Sequence, residues 1–139
     1  MKIILKQKYA LIILVFYFLL LSYWMIFGFG RTGHIDYMYN LKPFNTIKLY
    51  LQFENFNFKT WIINLIGNVG VFIPFGILIP IAFRSNFLKS LIIFETGLAT
   101  LELTQLVTKR GSLDIDDFIL NTLGLIFGYG IYKFILRVF

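Results

Sequence analysis

The chain has no cysteine and a single histidine, His34, among its 139 residues. Disulfide bonds and thiolate chemistry are therefore excluded, and so is a metal site built from several histidines. Charged residues are also scarce, because they make up 14% of the chain against about 25% in soluble domains. This shortage, together with a hydrophobic content of 58%, excludes an ordinary soluble domain and indicates a membrane protein.

Four apolar stretches are long enough to cross a bilayer, which takes about 20 residues of α-helix. They run over residues 9–27, 60–83, 87–107 and 115–138. The first resembles a signal peptide in following several lysines, but its apolar run is longer and ends in aromatic residues rather than a cleavage site. We therefore predict an all-α, polytopic membrane protein. Its four transmembrane helices form an antiparallel bundle, a single domain over residues 1–139.

The formal net charge of +6 would suggest a nucleic-acid partner in a soluble protein. Here the basic residues lie mostly beside apolar runs, so we interpret them as facing anionic lipid head groups, and we predict no nucleic-acid partner. Lys and Arg are denser in the segments that are inner when both termini are cytoplasmic. The positive-inside rule therefore predicts a multi-pass protein of the cytoplasmic membrane with both termini in the cytoplasm.

Residues 28–59 form the only long loop, and they are rich in Tyr and Phe. Within residues 45–53, Ile47, Tyr50 and Leu51 recur at helical spacing, and Asn45 is a plausible N-cap. We predict a short helix lying in the outer membrane interface. An aromatic-rich loop folded over the bundle is the alternative, and the two readings overlap.

Polar side chains inside the predicted spans are the most informative feature, since each costs roughly 2.5 to 3.5 kcal/mol to insert. Helical rise places them all near the outer membrane face. The seven are Asn64, Asn68, Glu102, Gln105, Asp116, Asp117 and Asn121.

The second span places Asn64 and Asn68 on one helical face, four residues apart. Gly67 and Gly70 flank Asn68 and predict close approach of another helix, and Pro74 predicts a kink just below it. In the fourth span, Gly124 and Gly128 predict tight packing of a second helix.

The third and fourth spans supply the remaining groups, and Arg110 lies in the short loop between them. We predict that Glu102, Gln105, Arg110, Asp117 and Asn121 converge on one outward-facing pocket, with the second span opposite. Asn64 and Asn121 have an alternative role as plain interhelical hydrogen-bonding residues.

Three acidic residues begin the fourth span. Asp114 is a fitting N-cap, and Asp116 suits the dipole of the first helical turn. Together with Asp117 they are weak candidates for a divalent cation site, and we predict no bound metal and no cofactor.

Three segments carry a resemblance to a known family. The sequence NLKPFNTI at 40–47 resembles the "NLxPFxTI" loop of the VanZ-like family, apart from Lys42, where an apolar residue is usual. NLIGNVGVFIPFG at 64–76 resembles its "NxxGNxxxFxPFG" helix. Residues 102–128 resemble its "ExxQ…R…DxDDxxxNxxGxxxG" end. The similarity covers about residues 40–130.

The family is named for a membrane protein that raises resistance to teicoplanin, a glycopeptide antibiotic acting on cell-wall precursors. The resemblance implies a protein of the bacterial cytoplasmic membrane with a role in such resistance. We expect an amphiphilic ligand, either a lipid-linked cell-wall precursor, another membrane lipid or a lipoglycopeptide. Its head would meet Arg110 and the amides, and its chain would lie near Pro74.

An enzymatic version uses Glu102 as general base and Asp117 as orienting group or metal ligand. No obvious Ser or Cys nucleophile and no phosphatase signature accompany them, so the sequence leaves catalysis open. A small proton-coupled transporter is a second hypothesis, with Glu95 as its only deep carboxylate, although no inverted repeat supports it. The third is a non-catalytic accessory subunit.

Overall fold

The computed structural model describes residues 2–28, 32–51, 62 and 66–138. Its elements are α1 (Lys2–Phe27), β1 (Met38–Asn40), α2 (Asn45–Leu51), α3 (Ile73–Phe83), α4 (Phe87–Val107), β2 (Ser112–Asp114) and α5 (Ile115–Val138). Within these described residues, four helices are long and apolar enough to cross a membrane: Lys6–Phe27, Ile66–Phe83, Phe87–Val107 and Ile115–Val138. The predicted four-span helical membrane protein is confirmed, although the predicted start of the second span lies outside the described residues.

The second span is interrupted where Pro74 follows its first helical segment. Residues 66–70 are helical, residues 71–72 form a turn, and α3 then begins at Ile73. Proline cannot donate a backbone hydrogen bond, and the Phe75 N–H donates to the Phe72 carbonyl instead of reaching back a full helical turn. The Val71 carbonyl accepts a hydrogen bond from the Tyr17 hydroxyl of α1 at 2.8 Å. The break is thus closed by a side chain of the neighbouring span.

Glycine brings the second span and α5 into backbone contact. A Cβ added to Gly76 would lie 2.6 Å from the Tyr129 nitrogen, and one added to Gly128 would lie 2.9 Å from the Gly76 Cα. One added to Gly124 would lie 2.9 Å from the Phe72 Cβ. The predicted tight packing at Gly124 and Gly128 is therefore present, because only hydrogen fits at these positions.

The corresponding prediction for Gly67 and Gly70 is wrong within the described part of the chain. A Cβ at Gly67 would meet no described atom within 4 Å, and one at Gly70 would meet only the Ile66 side chain, at 3.9 Å. The close approach to α5 occurs at other positions of the same span, at Phe72 opposite Gly124 and at Gly76 opposite Gly128.

Aromatic rings fill the centre of the bundle between α1, α3 and α4. Phe72 and Phe75 stack with ring centroids 5.8 Å apart, and Phe94 of α4 meets the Phe72 ring edge-on at 5.7 Å. Tyr17 of α1 packs on Phe75 at 5.4 Å. Leu98 and Leu125, almost fully buried, complete this core. It lies directly below the residues that form the candidate site.

Two short strands join the long loop to the start of α5. β1 and β2 pair in parallel, with Met38 opposite Ser112 and Asn40 opposite Asp114. The fold is therefore mostly helical rather than purely helical. The pairing lays residues 34–47 across the end of the bundle where α4 stops and α5 starts.

The predicted helix in the loop is present as α2, but its N-terminus is not capped by Asn45. Asn45 is already the first helical residue, and the acceptor for the backbone N–H groups of Thr46 and Ile47 is the Asp116 carboxylate of α5. A distant side chain thus takes the capping role that the local sequence assigned to Asn45.

Candidate functional site

A cavity of about 670 Å³ opens at the end of the bundle beneath the loop. We call it the polar cavity. Its walls come from α1, the loop, the second span, α4, the α4–β2 turn and α5. Its polar side chains are His34, Asn68, Glu102, Gln105, Arg110, Ser112, Asp117 and Asn121.

Six of the predicted site residues line this cavity: Asn68, Glu102, Gln105, Arg110, Asp117 and Asn121. Asn64 lies outside the described residues. Asp114 and Asp116 do not line the cavity. The sequence also missed several lining residues, among them His34 and Ser112, because a single loop histidine or serine carries no spacing signal.

The most buried polar groups belong to α4 and α5. Glu102, Gln105 and Asn121 are only 1%, 3% and 2% exposed. The Gln105 side-chain nitrogen donates to the Met25 carbonyl of α1 at 2.7 Å, which ties α4 to α1 at the cavity wall. Asn121 Oδ1 is buried and accepts no hydrogen bond from any residue that the structure describes. A buried amide oxygen without a donor costs about 1 to 3 kcal/mol, so this atom indicates a place for a ligand donor.

Asp117 and Asn68 link the fourth and second spans across the cavity. The Asn68 side-chain nitrogen donates to Asp117 Oδ1 at 3.0 Å. Both side chains are half-buried and line the cavity. The hydrogen bond orients the carboxylate of Asp117.

Arg110 enters the cavity wall through a specific turn at the end of α4. The Arg110 N–H donates to the Gln105 carbonyl and the Lys109 N–H to the Leu106 carbonyl, each at 3.0 Å, which is the Schellman pattern. Lys109 has φ 56°, the left-handed conformation that glycine usually supplies at this position. The turn directs Arg110 toward α1, where its guanidinium lies 4.8 Å from the centre of the Phe27 ring.

Lys109 also fastens the loop beside that turn. Its carbonyl accepts from the His34 N–H at 2.8 Å, and its ammonium donates to the Ile35 carbonyl at 2.8 Å. The same ammonium lies 4.6 Å from the centre of the Tyr37 ring. These contacts offset the roughly 1 to 2 kcal/mol that a left-handed lysine costs.

A second cluster, which we call the aspartate clamp, consists of Asp114 and Asp116. Asp116 is fully buried and accepts from the backbone N–H groups of Phe44, Thr46 and Ile47 at 2.6, 2.7 and 3.1 Å. Its carboxylate therefore holds the loop and the N-terminus of α2, beyond the predicted dipole effect.

The other half of the clamp behaves as an N-cap and also reaches the loop. Asp114 Oδ1 accepts from the Asp116 N–H at 2.9 Å, as predicted for a cap of α5. The Asp114 carboxylate also accepts from the Asn40 amide at 3.2 Å and from the Thr46 hydroxyl at 2.5 Å. Loop donors thus occupy the oxygens that the weak cation hypothesis would use. The described residues contain no group of three or more His, Cys, Asp or Glu side chains placed to hold a metal.

An apolar groove of about 240 Å³ lies between α1, α3 and α4. Its walls include Leu14, Phe18, Ile79 and Gly97, and a Cβ added to Gly97 would lie 3.6 Å from the Phe18 ring. Phe72 lines both this groove and the polar cavity. An apolar and a polar compartment therefore meet at one side chain.

Glu95, the deep carboxylate of the transporter hypothesis, lies apart from both compartments. It is half-buried on α4 and accepts a hydrogen bond from the Thr122 hydroxyl of α5 at 2.6 Å. It lines neither the polar cavity nor the apolar groove.

These features define a four-span helical membrane protein with a polar cavity at one end of the bundle. The chain belongs to the VanZ/LLP1 family, whose model matches residues 8–137. No match was found among curated proteins or solved structures.

Proposed function

We propose that this protein binds an amphiphilic ligand of the bacterial cell envelope and thereby contributes to glycopeptide resistance of the teicoplanin type. The ligand class is a lipid-linked cell-wall precursor, a membrane lipid or the lipoglycopeptide itself. The observation that carries the proposal is the meeting of the polar cavity and the apolar groove at Phe72. Only a molecule with a polar head and an apolar chain fills both.

The polar cavity supports the head-group half of the proposal. Ligand sites combine concave apolar walls with a few convergent polar groups, and this cavity has both. The cationic group of Arg110 suits a phosphate or carboxylate, and the amides suit hydroxyl and amide groups of a sugar or peptide. If the bound ligand reacts, Glu102 is the candidate general base and Asp117, held by Asn68, the candidate orienting group.

The apolar groove supports the chain half. Its walls come from three spans, and Gly97 faces the Phe18 ring within it. The groove segment of α4 from Ile93 to Leu101 is about 12 Å long, from the helical rise of about 1.5 Å per residue. A hydrocarbon chain that moves from the lipid bilayer into this groove exchanges one apolar environment for another, so the free-energy change is small. We therefore attribute the selectivity to the head group.

The test uses the purified full chain and a pair of matched glycine variants. Gly97→Leu fills the groove, whereas Gly130→Leu adds the same bulk where no described atom lies within 4 Å. We expect Gly97→Leu to weaken binding of a fluorescent polyprenyl-linked precursor or of teicoplanin about tenfold, and Gly130→Leu to leave it unchanged. Equal binding by both variants and the parent, at equal folded fraction, would overturn the proposal.

A cellular test addresses resistance directly. Cells that depend on the parent chain for reduced teicoplanin susceptibility should regain susceptibility with Glu102→Gln, at an equal amount of protein in the membrane. Unchanged susceptibility with that variant, or no effect of the parent chain, would contradict the resistance role.

A further inference from the structure

More carboxylates than cationic side chains line the polar cavity in the described part of the chain. Two carboxylates, Glu102 and Asp117, and one guanidinium, Arg110, line it in the part of the chain that the structure describes. A purely anionic head group would add negative charge to a wall that already carries more carboxylates than cations. The balance instead favours a ligand that brings a positive charge of its own.

One acceptor in the most buried part of the cavity has no hydrogen-bond donor. Asn121 Oδ1 lies there without a donor among the described residues, and the side chain is 2% exposed. The nearby Gln105 amide nitrogen is already engaged with the Met25 carbonyl. A ligand group at this position therefore has to donate hydrogen bonds, which a primary ammonium does with three N–H groups and a quaternary ammonium does not.

The cationic and hydroxyl donors belong to less buried residues of the cavity wall. Arg110 lies on the turn between α4 and β2, and Ser112 is the first residue of β2. Both are half-buried, and His34 of the loop is exposed. Guanidinium and hydroxyl groups are suited to phosphate oxygens. Buried acceptors and less buried donors match a head group that carries an ammonium and a phosphate together.

We infer that the polar cavity recognises a zwitterionic head group with a primary ammonium and a phosphate, as in phosphatidylethanolamine-type lipids. This rests on the proposed function, in which an amphiphile fills the cavity and the groove. The phosphate lies at Arg110, and the ammonium lies toward Asn121 and the carboxylates. A choline head group is a poorer ligand because its ammonium has no N–H groups. A glycerol head group is a poorer ligand because it has no positive charge.

The experiment titrates the full chain, purified in detergent, with three lipids of identical oleoyl chains. They are dioleoyl phosphatidylethanolamine, phosphatidylcholine and phosphatidylglycerol, and bound lipid is counted by native mass spectrometry. We expect the ethanolamine lipid to bind at least tenfold more tightly than the other two. Glycerophosphoethanolamine, which has the head without the chains, should compete only at far higher concentration; equal potency would show a free-metabolite site and overturn the lipid assignment.

Two variants separate head recognition from loss of fold. Asp117→Asn keeps an oxygen for Asn68 but removes the charge, and Asn121→Leu removes the buried acceptor. Each should reduce the preference for ethanolamine over choline severalfold at equal folded fraction, whereas Gly130→Leu, outside the cavity, should keep the preference of the parent chain. A preference that survives both variants would overturn the inference.

The outcomes also distinguish this inference from the proposed function. Equal binding of the three lipids, or a preference for the glycerol lipid, with all binding weakened by Gly97→Leu, would overturn the head-group inference alone. Binding of the three lipids that Gly97→Leu leaves unchanged would contradict both.

Discussion

Asp116 and Asp117 are adjacent in sequence, and both lie in the first turn of α5, yet they have different surroundings. Asp116 is fully buried and holds three backbone N–H groups of the loop. Asp117 lines the polar cavity and meets the side chain of Asn68. Successive residues of a helix point about 100° apart, so one carboxylate faces the loop and the other the cavity. The difference teaches that the role of an acidic residue in a span depends on the groups that its carboxylate contacts, and that its position in the chain does not determine this role.

The largest expected effect is that of Asp116→Ala. It leaves three backbone donors without their acceptor, so we expect the free energy of unfolding to fall by about 3 to 5 kcal/mol. Thermal unfolding in detergent, followed by circular dichroism, measures it. Asp36→Ala, at an exposed loop position, is the control and should change stability by less than about 0.5 kcal/mol. Equal losses from both variants would remove the structural role of Asp116.

Asp114→Asn should have an intermediate effect. The amide oxygen can still accept from the Asp116 N–H and the Asn40 amide, which now meet Oδ1, but the amide nitrogen then presents donors to the Thr46 hydroxyl, which now meets Oδ2. We expect a loss of about 1 to 2 kcal/mol in the same unfolding experiment. A loss as large as that of Asp116→Ala would show that Asp114, rather than Asp116, makes the main contribution of the aspartate clamp to stability.

Thr46→Val should cost about 1 kcal/mol, because it removes the hydroxyl bonded to Asp114 and keeps the side-chain shape. Combined with Asp114→Asn, it forms a double-mutant cycle. We expect a coupling energy of at least about 0.5 kcal/mol, since the two groups are in direct contact. Additive effects would show that the clamp works through Asp116 alone.

The smallest effect on stability is expected for Asp117→Asn, below about 1 kcal/mol, because the retained oxygen still accepts from Asn68. Binding of the ethanolamine lipid should nevertheless weaken severalfold, so the variant with the smallest stability loss has a clear effect on binding. Unfolding and lipid-binding measurements on one preparation test this. A stability loss equal to that of Asp116→Ala, with unchanged lipid binding, would show that Asp117 has the same structural role as Asp116 and no role in binding.

The spans could be predicted from the sequence because the hydrophobic effect acts on each run locally. The third and fourth spans have the predicted bounds, and Gly124 and Gly128 have the predicted packing role. Small residues at four-residue spacing encode one helical face, so their meaning does not depend on distant parts of the chain.

The loop contacts could not be predicted, because their partners are far apart in sequence. The strands β1 and β2 have three residues each, too few for an alternating pattern. The acceptor for Thr46 lies 70 residues away on α5, and Asn45 offered a nearer and incorrect alternative. His34 lines the cavity because the same long-range contacts hold the loop there, so its place in the site could not be predicted from the sequence either.

Pairing of β1 with β2 also sets an order of events during synthesis. Asn40 and its partner Asp114 are 74 residues apart. At about 5 to 20 residues per second, the ribosome delivers the second strand about 4 to 15 s after the first. During that interval the second and third spans are synthesised, while the loop has no β2 with which to pair. A chain that stops before Asp114 therefore lacks the aspartate clamp, so synthesis of the fourth span fixes the loop over the cavity.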